Sequence, residues 1–186
     1  MKKRNKLLIF EDLNFIRKNC KRELNKLAGS KILFTGGAGF LGYYFIQALL
    51  FENKYSSNKI SIDVYDNYIR GRKLWIKKLA AENKNLKLVK KDISKKFSIS
   101  KKYDYIIHAA SIASPTYYRI YPLQTIDANI NGIRNILENS VKMKSLKGLI
   151  FFSSSEIYGD PDKKNIPTNE NYRGFVSCDG PRACYD

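Results

Sequence analysis

The chain has 186 residues, of which 44% are hydrophobic and 13% aromatic. A chain of this length buries about 70% of the surface that its unfolded form exposes, so it can fold as one domain without a disulfide or metal staple. This composition excludes a disordered, collagen-like or low-complexity protein.

The charge is strongly positive, because 34 basic residues against 17 acidic ones give a formal net charge of +17. Such an excess is typical of proteins that bind nucleic acids or anionic surfaces. The basic residues are 25 Lys and only 9 Arg, however, and the chain is also rich in Asn, Ile, Tyr and Phe, which AT-rich codons also specify. Proteins that bind phosphates tend to use Arg, because its guanidinium forms bidentate hydrogen bonds with phosphate oxygens. We therefore interpret the charge as compositional and expect no nucleic-acid partner.

The cysteines and the longest uncharged stretch indicate the cellular setting. Cys20, Cys178 and Cys184 are odd in number and form no CxxC pair, so we expect a reduced, cytoplasmic protein without a metal site. Residues 32–51 carry no charge and are long enough to span a bilayer. They contain four glycines, whose spacing better suits a turn between a strand and a helix, so we expect no membrane segment.

The first 29 residues precede the main pattern of the chain. Residues 11–28 place apolar side chains at helical spacing between charges, which predicts an amphipathic helix that ends at Gly29. We interpret residues 1–29 as an N-terminal helical extension and residues 30–186 as the main domain.

From residue 31 onward, predicted strands alternate with predicted helices. Strands are predicted at residues 31–35, 59–65, 86–89, 105–109 and 148–152, and helices at 40–51, 74–81 and 122–141. The last helix is predicted to carry an apolar face of Ile126, Ile130, Ile133 and Leu137. The alternation predicts an α/β fold of the Rossmann type, a doubly wound parallel sheet with helices on both faces. Ligands of such sheets bind at the carboxyl ends of the strands.

A glycine turn connects the first predicted strand to the first helix of the sheet. In Thr35-Gly-Gly-Ala-Gly-Phe-Leu-Gly42 the glycines have the spacing GxxGxxG. A turn of this kind presents backbone N–H groups and the positive end of a helix dipole to a pyrophosphate. The predicted cofactor-binding residues here are Gly36, Gly39, Phe40, Leu41 and Gly42.

Acidic residues follow the second and third predicted strands. Asp66 and Asn67 begin 24 residues after Gly42. A carboxylate there accepts hydrogen bonds from adenosine ribose hydroxyls and repels a 2′-phosphate, which favours NAD over NADP. Asp92 and Ile93 are predicted to bracket the adenine.

Small and hydroxyl side chains end the fourth and fifth predicted strands. Ala109, Ala110 and Ser111 leave room for a cofactor, whereas residues 153–156 place three serines and a glutamate where chemistry takes place. The serines have a plainer alternative role, which is to satisfy backbone groups at the strand end. His108 is the single histidine of the chain, and in a buried strand we interpret it as structural.

With these motifs the chain resembles the extended short-chain dehydrogenases/reductases of the NAD-dependent epimerase/dehydratase family over about residues 31–186. The shared stretches are TGGAGFLG, the Asp66-Asn67 turn, residues 70–73, HAAS, residues 129–132, SSSEIYGDP and residues 180–186. The last two are most similar to UDP-glucuronate decarboxylases. The resemblance implies NAD as cofactor, with Arg72 among the residues that bind it, a nucleotide sugar (UDP-linked) as substrate, and a homodimer.

The resemblance also implies roles for individual side chains. In this family a Tyr and a Lys four residues apart on a helix face the nicotinamide, and the Tyr removes the proton of the sugar 4-hydroxyl as hydride passes to NAD. By that match Tyr185 is the base, Ser154 bonds the same hydroxyl, and Glu156 is an acid/base near the sugar ring. Oxidation at C4 makes a uronic acid a β-keto acid, which can lose carbon dioxide.

Ser155 helps to choose among the relatives. The dTDP-glucose 4,6-dehydratases usually have an Asp at this position to protonate the departing hydroxyl, and Ser is a poor acid for that step. UDP-galactose 4-epimerases usually lack the adjacent Glu as well. The resemblance therefore favours decarboxylation, with 4,6-dehydration and 4-epimerisation as alternatives.

The chain ends at Asp186, before the Lys that the family places four residues after Tyr185 and before the family's later strands and substrate domain. We therefore expect a sheet that is incomplete at its C-terminal side, with an open edge at the fifth strand. We also expect weak or no turnover from these 186 residues, with NAD binding retained. A non-catalytic NAD-binding module is the alternative function.

Overall fold

A computed structural model of the chain describes residues 3–70, 73–180 and 182–185, without the side chains of residues 3–6. Its five parallel strands form one sheet in the order β3-β2-β1-β4-β5. The strands are β1 (Lys31–Thr35), β2 (Ser61–Asp66), β3 (Leu86–Lys90), β4 (Tyr105–His108) and β5 (Gly148–Phe151). The order runs outward from β1 first in one direction and then in the other. This confirms the doubly wound, Rossmann-type sheet and puts its switch point beside β1.

Seven α-helices accompany the sheet in the described part of the chain. They are α1 (Lys3–Asn19), α2 (Lys21–Lys26), α3 (Phe40–Glu52), α4 (Lys73–Glu82), α5 (Pro115–Ile120), α6 (Pro122–Asp127) and α7 (Ile133–Ser140). Residues 128–132 form a π-helical turn between α6 and α7, and short 3-10 turns span 155–158 and 163–165.

Alternation along the strands divides the core between the two faces of the sheet. Phe34 packs with residues of α3 and α4 on one face, such as Ile46 and Ile76. Leu33, one residue earlier, packs with Ile136 of α7 on the other face. Successive side chains of a strand point to opposite faces, so this apolar run buries residues on both.

The N-terminal segment forms two helices rather than the single one predicted from residue 11. α1 begins at Lys3, and the chain turns at Cys20 before α2. α1 packs on the outer side of α3, where Leu13 is buried and the rings of Phe10 and Phe51 meet edge to face at 5.7 Å.

The apolar face predicted for residues 122–141 is wrong. Ile126, Ile130 and Leu137 are exposed, whereas the side toward the sheet presents Gly132 and Ile136.

Polar contacts explain this orientation of the helix. The Asn135 amide donates hydrogen bonds to the carbonyls of Ile93 and Lys95, and the Asn139 amide donates to that of Phe97. A Cβ at Gly132 would lie 2.1 Å from Ile93 Cδ1, so the helix approaches this segment through its glycine. The asparagines therefore decide which face is buried.

β5 lies at the edge of the sheet, as predicted, and Ile150 and Phe151 are 59% and 50% exposed. In the described residues no helix is long and apolar enough to cross a bilayer. The uncharged stretch 32–51 is divided among β1, the glycine turn and α3.

A buried ion pair fastens the N-terminal helix to α3. The Glu52 side chain is 5% exposed, and its Oε2 lies 2.8 Å from Arg17 Nε. Arg17→Ala leaves this carboxylate unpaired and should lower the free energy of unfolding by about 2 kcal/mol in urea titrations, less than a fully buried pair would cost.

The exposed Arg22 of α2 provides the matched control, since Arg22→Ala should change stability by less than about 0.5 kcal/mol. Arg17 also lies over the Tyr55 ring at 3.8 Å, and Arg17→Ala removes that contact too. A second variant therefore separates the effect of the unpaired Glu52 charge from the loss of the ring contact. Adding Glu52→Gln to Arg17→Ala should restore most of the loss. An Arg17→Ala protein as stable as the Arg22→Ala control would contradict the assignment.

Candidate functional site

The glycine turn is packed directly against the end of β4. Gly36 has φ +73°, and a Cβ there would lie 2.6 Å from the carbonyl oxygen of Ala109 and from Ala110 Cα. Its N–H donates to the Tyr65 carbonyl at 2.8 Å. The turn thus joins the carboxyl ends of β2, β1 and β4, and only glycine fits at this point.

Gly42 allows α3 to approach the same turn. A Cβ at Gly42 would lie 2.1 Å from the carbonyl oxygen of Gly37, which no side-chain movement could relieve. The third glycine of the motif therefore serves the packing of the helix against the turn.

Gly39 differs from the other two glycines of the motif. Its φ of −76° is open to any residue, and a Cβ at this position would have the Gly36 carbonyl oxygen, at 3.2 Å, as its nearest neighbour. No side chain caps α3 at Gly39, and the first N–H groups of a helix have no acceptor within it. Phe40, the first residue of α3, is 82% exposed, so the helix begins at the protein surface.

Asp66 ties the glycine turn to the loop after β2. Its Oδ2 accepts a hydrogen bond from the Ala38 N–H at 2.9 Å, and its Oδ1 accepts one from the Tyr68 N–H at 2.7 Å. Burial raises the pKa of Asp66, against the opposing effect of these two bonds. A carboxylate has about four acceptor sites, so Asp66 retains capacity for ligand hydroxyls.

The other residues predicted around the adenosine differ in their surroundings. Asn67 accepts the Ile69 N–H through Oδ1 at 3.0 Å and so shapes the loop. Asp92 is exposed and accepts from the N–H and hydroxyl of Ser94. Ile93 is buried against Gly132. Arg72 lies outside the described residues. The adenine contacts of Asp92 and Ile93 stay predictions.

The end of β4 combines close backbone contacts with one buried histidine. Ala109 donates its N–H to the Thr35 carbonyl at 3.1 Å, and the Ser111 hydroxyl donates to Asn129 Oδ1 at 2.7 Å. His108 Nδ1 lies 2.7 Å from Thr35 Oγ1, and its ring stacks on Phe151. Burial lowers the pKa of His108 to about 4, so the ring is neutral at pH 7. These contacts support a structural role for His108.

The predicted chemical groups gather at the end of β5 and at the described C-terminal residues. Ser154 Oγ accepts the Glu156 N–H at 3.2 Å and caps the turn that begins at Ser155. The Glu156 carboxylate pairs with Arg182 Nη1 at 2.6 Å. The Tyr185 ring stacks on Tyr118 of α5, with 5.2 Å between the ring centres. In the described residues no hydrogen bond joins Tyr185 to Ser154 or Glu156.

Arg182 is a site residue that sequence reasoning did not single out. Its contact with Glu156 spans 26 positions, which no local pattern reveals. The available signal was its place in the Gly180–Asp186 stretch, which the chain shares with the family.

A cavity of about 580 Å³ lies at the amino ends of the strands, between the loops before β4 and before β5. Four lysines line it: Lys101, Lys102, Lys142 and Lys144. It is remote from the glycine turn, so these lysines do not belong to the site described above. Residues 3–70, 73–180 and 182–185 contain no cluster of side chains that could hold a metal ion.

Known proteins resemble this chain in sequence and in structure. Residues 32–186 match the model of the NAD dependent epimerase/dehydratase family. UDP-glucuronic acid decarboxylase 1 of Danio rerio is 36% identical over 84% of this chain and 34% of its own length. UDP-glucuronic acid decarboxylase 6 of Arabidopsis thaliana is 34% identical over 84% of this chain and 42% of its own length.

Among solved structures, the UDP-Glc/GlcNAc 4-epimerase of Campylobacter jejuni matches with a TM-score of 0.64 and 25% identity. That match covers 83% of this chain and 45% of the epimerase. The chain thus spans less than half the length of each of these three proteins.

The buried, neutral His108 makes stability depend on pH. Its pKa is about 4 in the folded chain and about 6.5 when unfolded, so the unfolded state takes up the proton first. The stability is fully present above pH 6.5 and is lost as the pH falls toward 4. Between pH 6.5 and 5 we expect a loss of about 1.6 kcal/mol in the free energy of unfolding.

The matched variant is His108→Phe, which keeps a ring against Phe151 and removes the titration. Its free energy of unfolding should be lower at pH 7, because Thr35 loses a partner, but should change less between pH 6.5 and 5. Equal pH slopes for both proteins would show that His108 is not the titrating group.

Proposed function

The chain belongs to the NAD-dependent epimerase/dehydratase family, and we propose that it binds NAD at the carboxyl end of β1 and acts on a nucleotide sugar. The observation that carries this proposal is the uncapped start of α3, where no side chain accepts from the first N–H groups of the helix. A Cβ at Gly39 would meet the Gly36 carbonyl oxygen at 3.2 Å, which is a tight but not a prohibitive contact. A diphosphate resting on the first N–H groups of α3 is a further reason for a residue without a side chain.

The described residues fit the cofactor in a second respect. Asp66 is held by two backbone N–H groups yet keeps acceptor sites, as binding to ribose hydroxyls requires. In this proposal the N–H groups of Phe40, Leu41 and Gly42 hold the diphosphate and Asp66 holds the adenosine ribose. Ala109, Ala110 and Ser111 leave room for the cofactor at the end of β4, and Arg72 stays a predicted cofactor-binding residue.

NAD, when bound, supplies a hydride acceptor that also returns the hydride. The chain's own residues orient the sugar and move its protons. Tyr185 removes the proton of the 4-hydroxyl, Ser154 hydrogen-bonds that hydroxyl, and Glu156 acts as acid or base beside the sugar ring. The ion pair with Arg182, 2.6 Å from Nη1 to Oε2, holds the Glu156 carboxylate in position.

For the substrate we favour UDP-glucuronate and decarboxylation after oxidation at C4. Identities of 36% and 34% to two UDP-glucuronic acid decarboxylases support this choice. Ser155 supports it as well, because the alternative reaction, 4,6-dehydration, needs an acid at this position and a hydroxyl is a poor acid. The likeness to a 4-epimerase keeps epimerisation as a second candidate. The homodimer and the division into residues 1–29 and 30–186 are part of this proposal.

Gly39→Asp should reduce NAD affinity at least 100-fold, because it places a carboxylate where the diphosphate would lie. Isothermal titration of NAD measures the effect, and circular dichroism checks the fold. Ser57→Asp adds the same charge at an exposed position beyond the far end of α3 and should leave the affinity within about twofold. Unchanged affinity in the Gly39→Asp protein would show that the glycine turn is not the cofactor site.

The substrate class is tested by thermal unfolding of the NAD-loaded, 186-residue chain. UDP-glucuronate should raise the Tm more than UDP-galactose or dTDP-glucose does, because a ligand stabilises only the state that binds it. A larger Tm shift with dTDP-glucose or UDP-galactose would contradict the decarboxylase assignment.

A further inference from the structure

Arg70 reaches from the loop after β2 to the segment after β4. Its Nη1 donates a hydrogen bond to the Ala113 carbonyl at 3.1 Å. Its guanidinium carbon also lies 5.2 Å from the centre of the Tyr117 ring in α5, within cation–π range. Two separate contacts therefore place the same side chain on the same segment.

The order of the strands shows what this side chain crosses. β1 lies between β2 and β4 in the sheet, and neighbouring strands are about 4.8 Å apart. A side chain that joins the β2 loop to the β4 segment must pass the carboxyl end of β1. There the glycine turn lies, with Gly36 packed on Ala109, and α3 begins. The guanidinium of Arg70 thus belongs to the mouth of the proposed diphosphate site.

The positive charge of Arg70 is not neutralised by an acidic side chain in the described residues. No carboxylate pairs with it in the described part of the chain, and the one hydrogen bond seen uses one of its five N–H donors. Asp66, the acidic residue of the same loop, already accepts two backbone N–H groups. A neutral carbonyl and a ring face hold the guanidinium less strongly than phosphate oxygens, which accept charge-assisted, bidentate hydrogen bonds.

We propose that Arg70 is a further cofactor-binding residue, which exchanges the Ala113 carbonyl for the diphosphate of the bound dinucleotide. It contacts the diphosphate from the solvent side, opposite the N–H groups at the start of α3. This inference rests on the proposed function, because it assumes that a dinucleotide binds at the glycine turn. It adds a side-chain cation to a site otherwise built from backbone.

The kinetics of NADH binding test the proposal. A guanidinium that closes on the diphosphate after entry acts mainly on release, so Arg70→Ala should raise the dissociation rate and the Kd of NADH about 10- to 50-fold. Arg70→Gln, which keeps an N–H donor for the Ala113 carbonyl but removes the charge, should lose nearly as much. Stopped-flow displacement of fluorescent NADH gives the dissociation rate directly.

Two control variants separate this role from general charge and from packing. Arg119→Ala removes an exposed charge from α5 and should leave dissociation within about twofold of the unchanged chain. Tyr117→Leu removes the ring that Arg70 contacts here and should have an equally small effect, because Arg70 leaves the ring on binding. Competition with ADP-ribose and adenosine locates the contact, since Arg70→Ala should weaken only the ligand with a diphosphate.

Several results would overturn the assignment of Arg70. They are unchanged NADH dissociation in both Arg70 variants, an equal loss in Arg119→Ala, and faster association without faster dissociation, which would make Arg70 an obstacle to entry. Equal weakening of adenosine and ADP-ribose would also overturn it. Failure of the unchanged chain to bind NADH would instead defeat the proposed function, so the two failures are distinguishable.

Discussion

The contact between the glycine turn and the end of β4 is the constraint on which the rest of the site depends. At Gly36 two backbones approach so closely that a single methyl group would overlap Ala109 and Ala110. This contact brings the ends of β2, β1 and β4 to one point, where Asp66 fixes the turn through the Ala38 N–H. Because backbone is held against backbone, the start of α3 faces solvent in a fixed direction before any ligand arrives.

Features that depend on local sequence were predicted well. Both ends of β1 were predicted correctly, and the glycine spacing identified the turn. Strand burial and turn conformation depend on a few neighbouring residues, so the local sequence predicts them. The buried face of the helical segment 122–141 was predicted wrongly. Asn135 and Asn139 decide it by bonding to a segment about 40 residues earlier, and a helical periodicity cannot tell which of two faces meets the sheet.

The candidate site shows the same division. The resemblance named Ser154, Glu156 and Tyr185 from their motifs, but their partners come from the fold. Glu156 meets Arg182, and Tyr185 meets Tyr118 of a short helix that sequence reasoning missed altogether. The bridge from Arg70 to Ala113 spans 43 positions. Contacts of this separation follow from strand order, which becomes visible only when the sheet is assembled.

The packing of the N-terminal helix α1 on α3 helps to explain why α3 is so apolar. Eleven of the thirteen residues from Phe40 to Glu52 are apolar or glycine, so the composition of this helix resembles that of a membrane-spanning segment. A helix that is hydrophobic on every side needs an apolar environment around most of its circumference. Here the sheet supplies one side, and α1, with Leu13 and Phe10, supplies much of another. The N-terminal helix thus covers the part of α3 around Phe51, whereas Phe40, Leu41 and Phe45 near the start of α3 stay exposed.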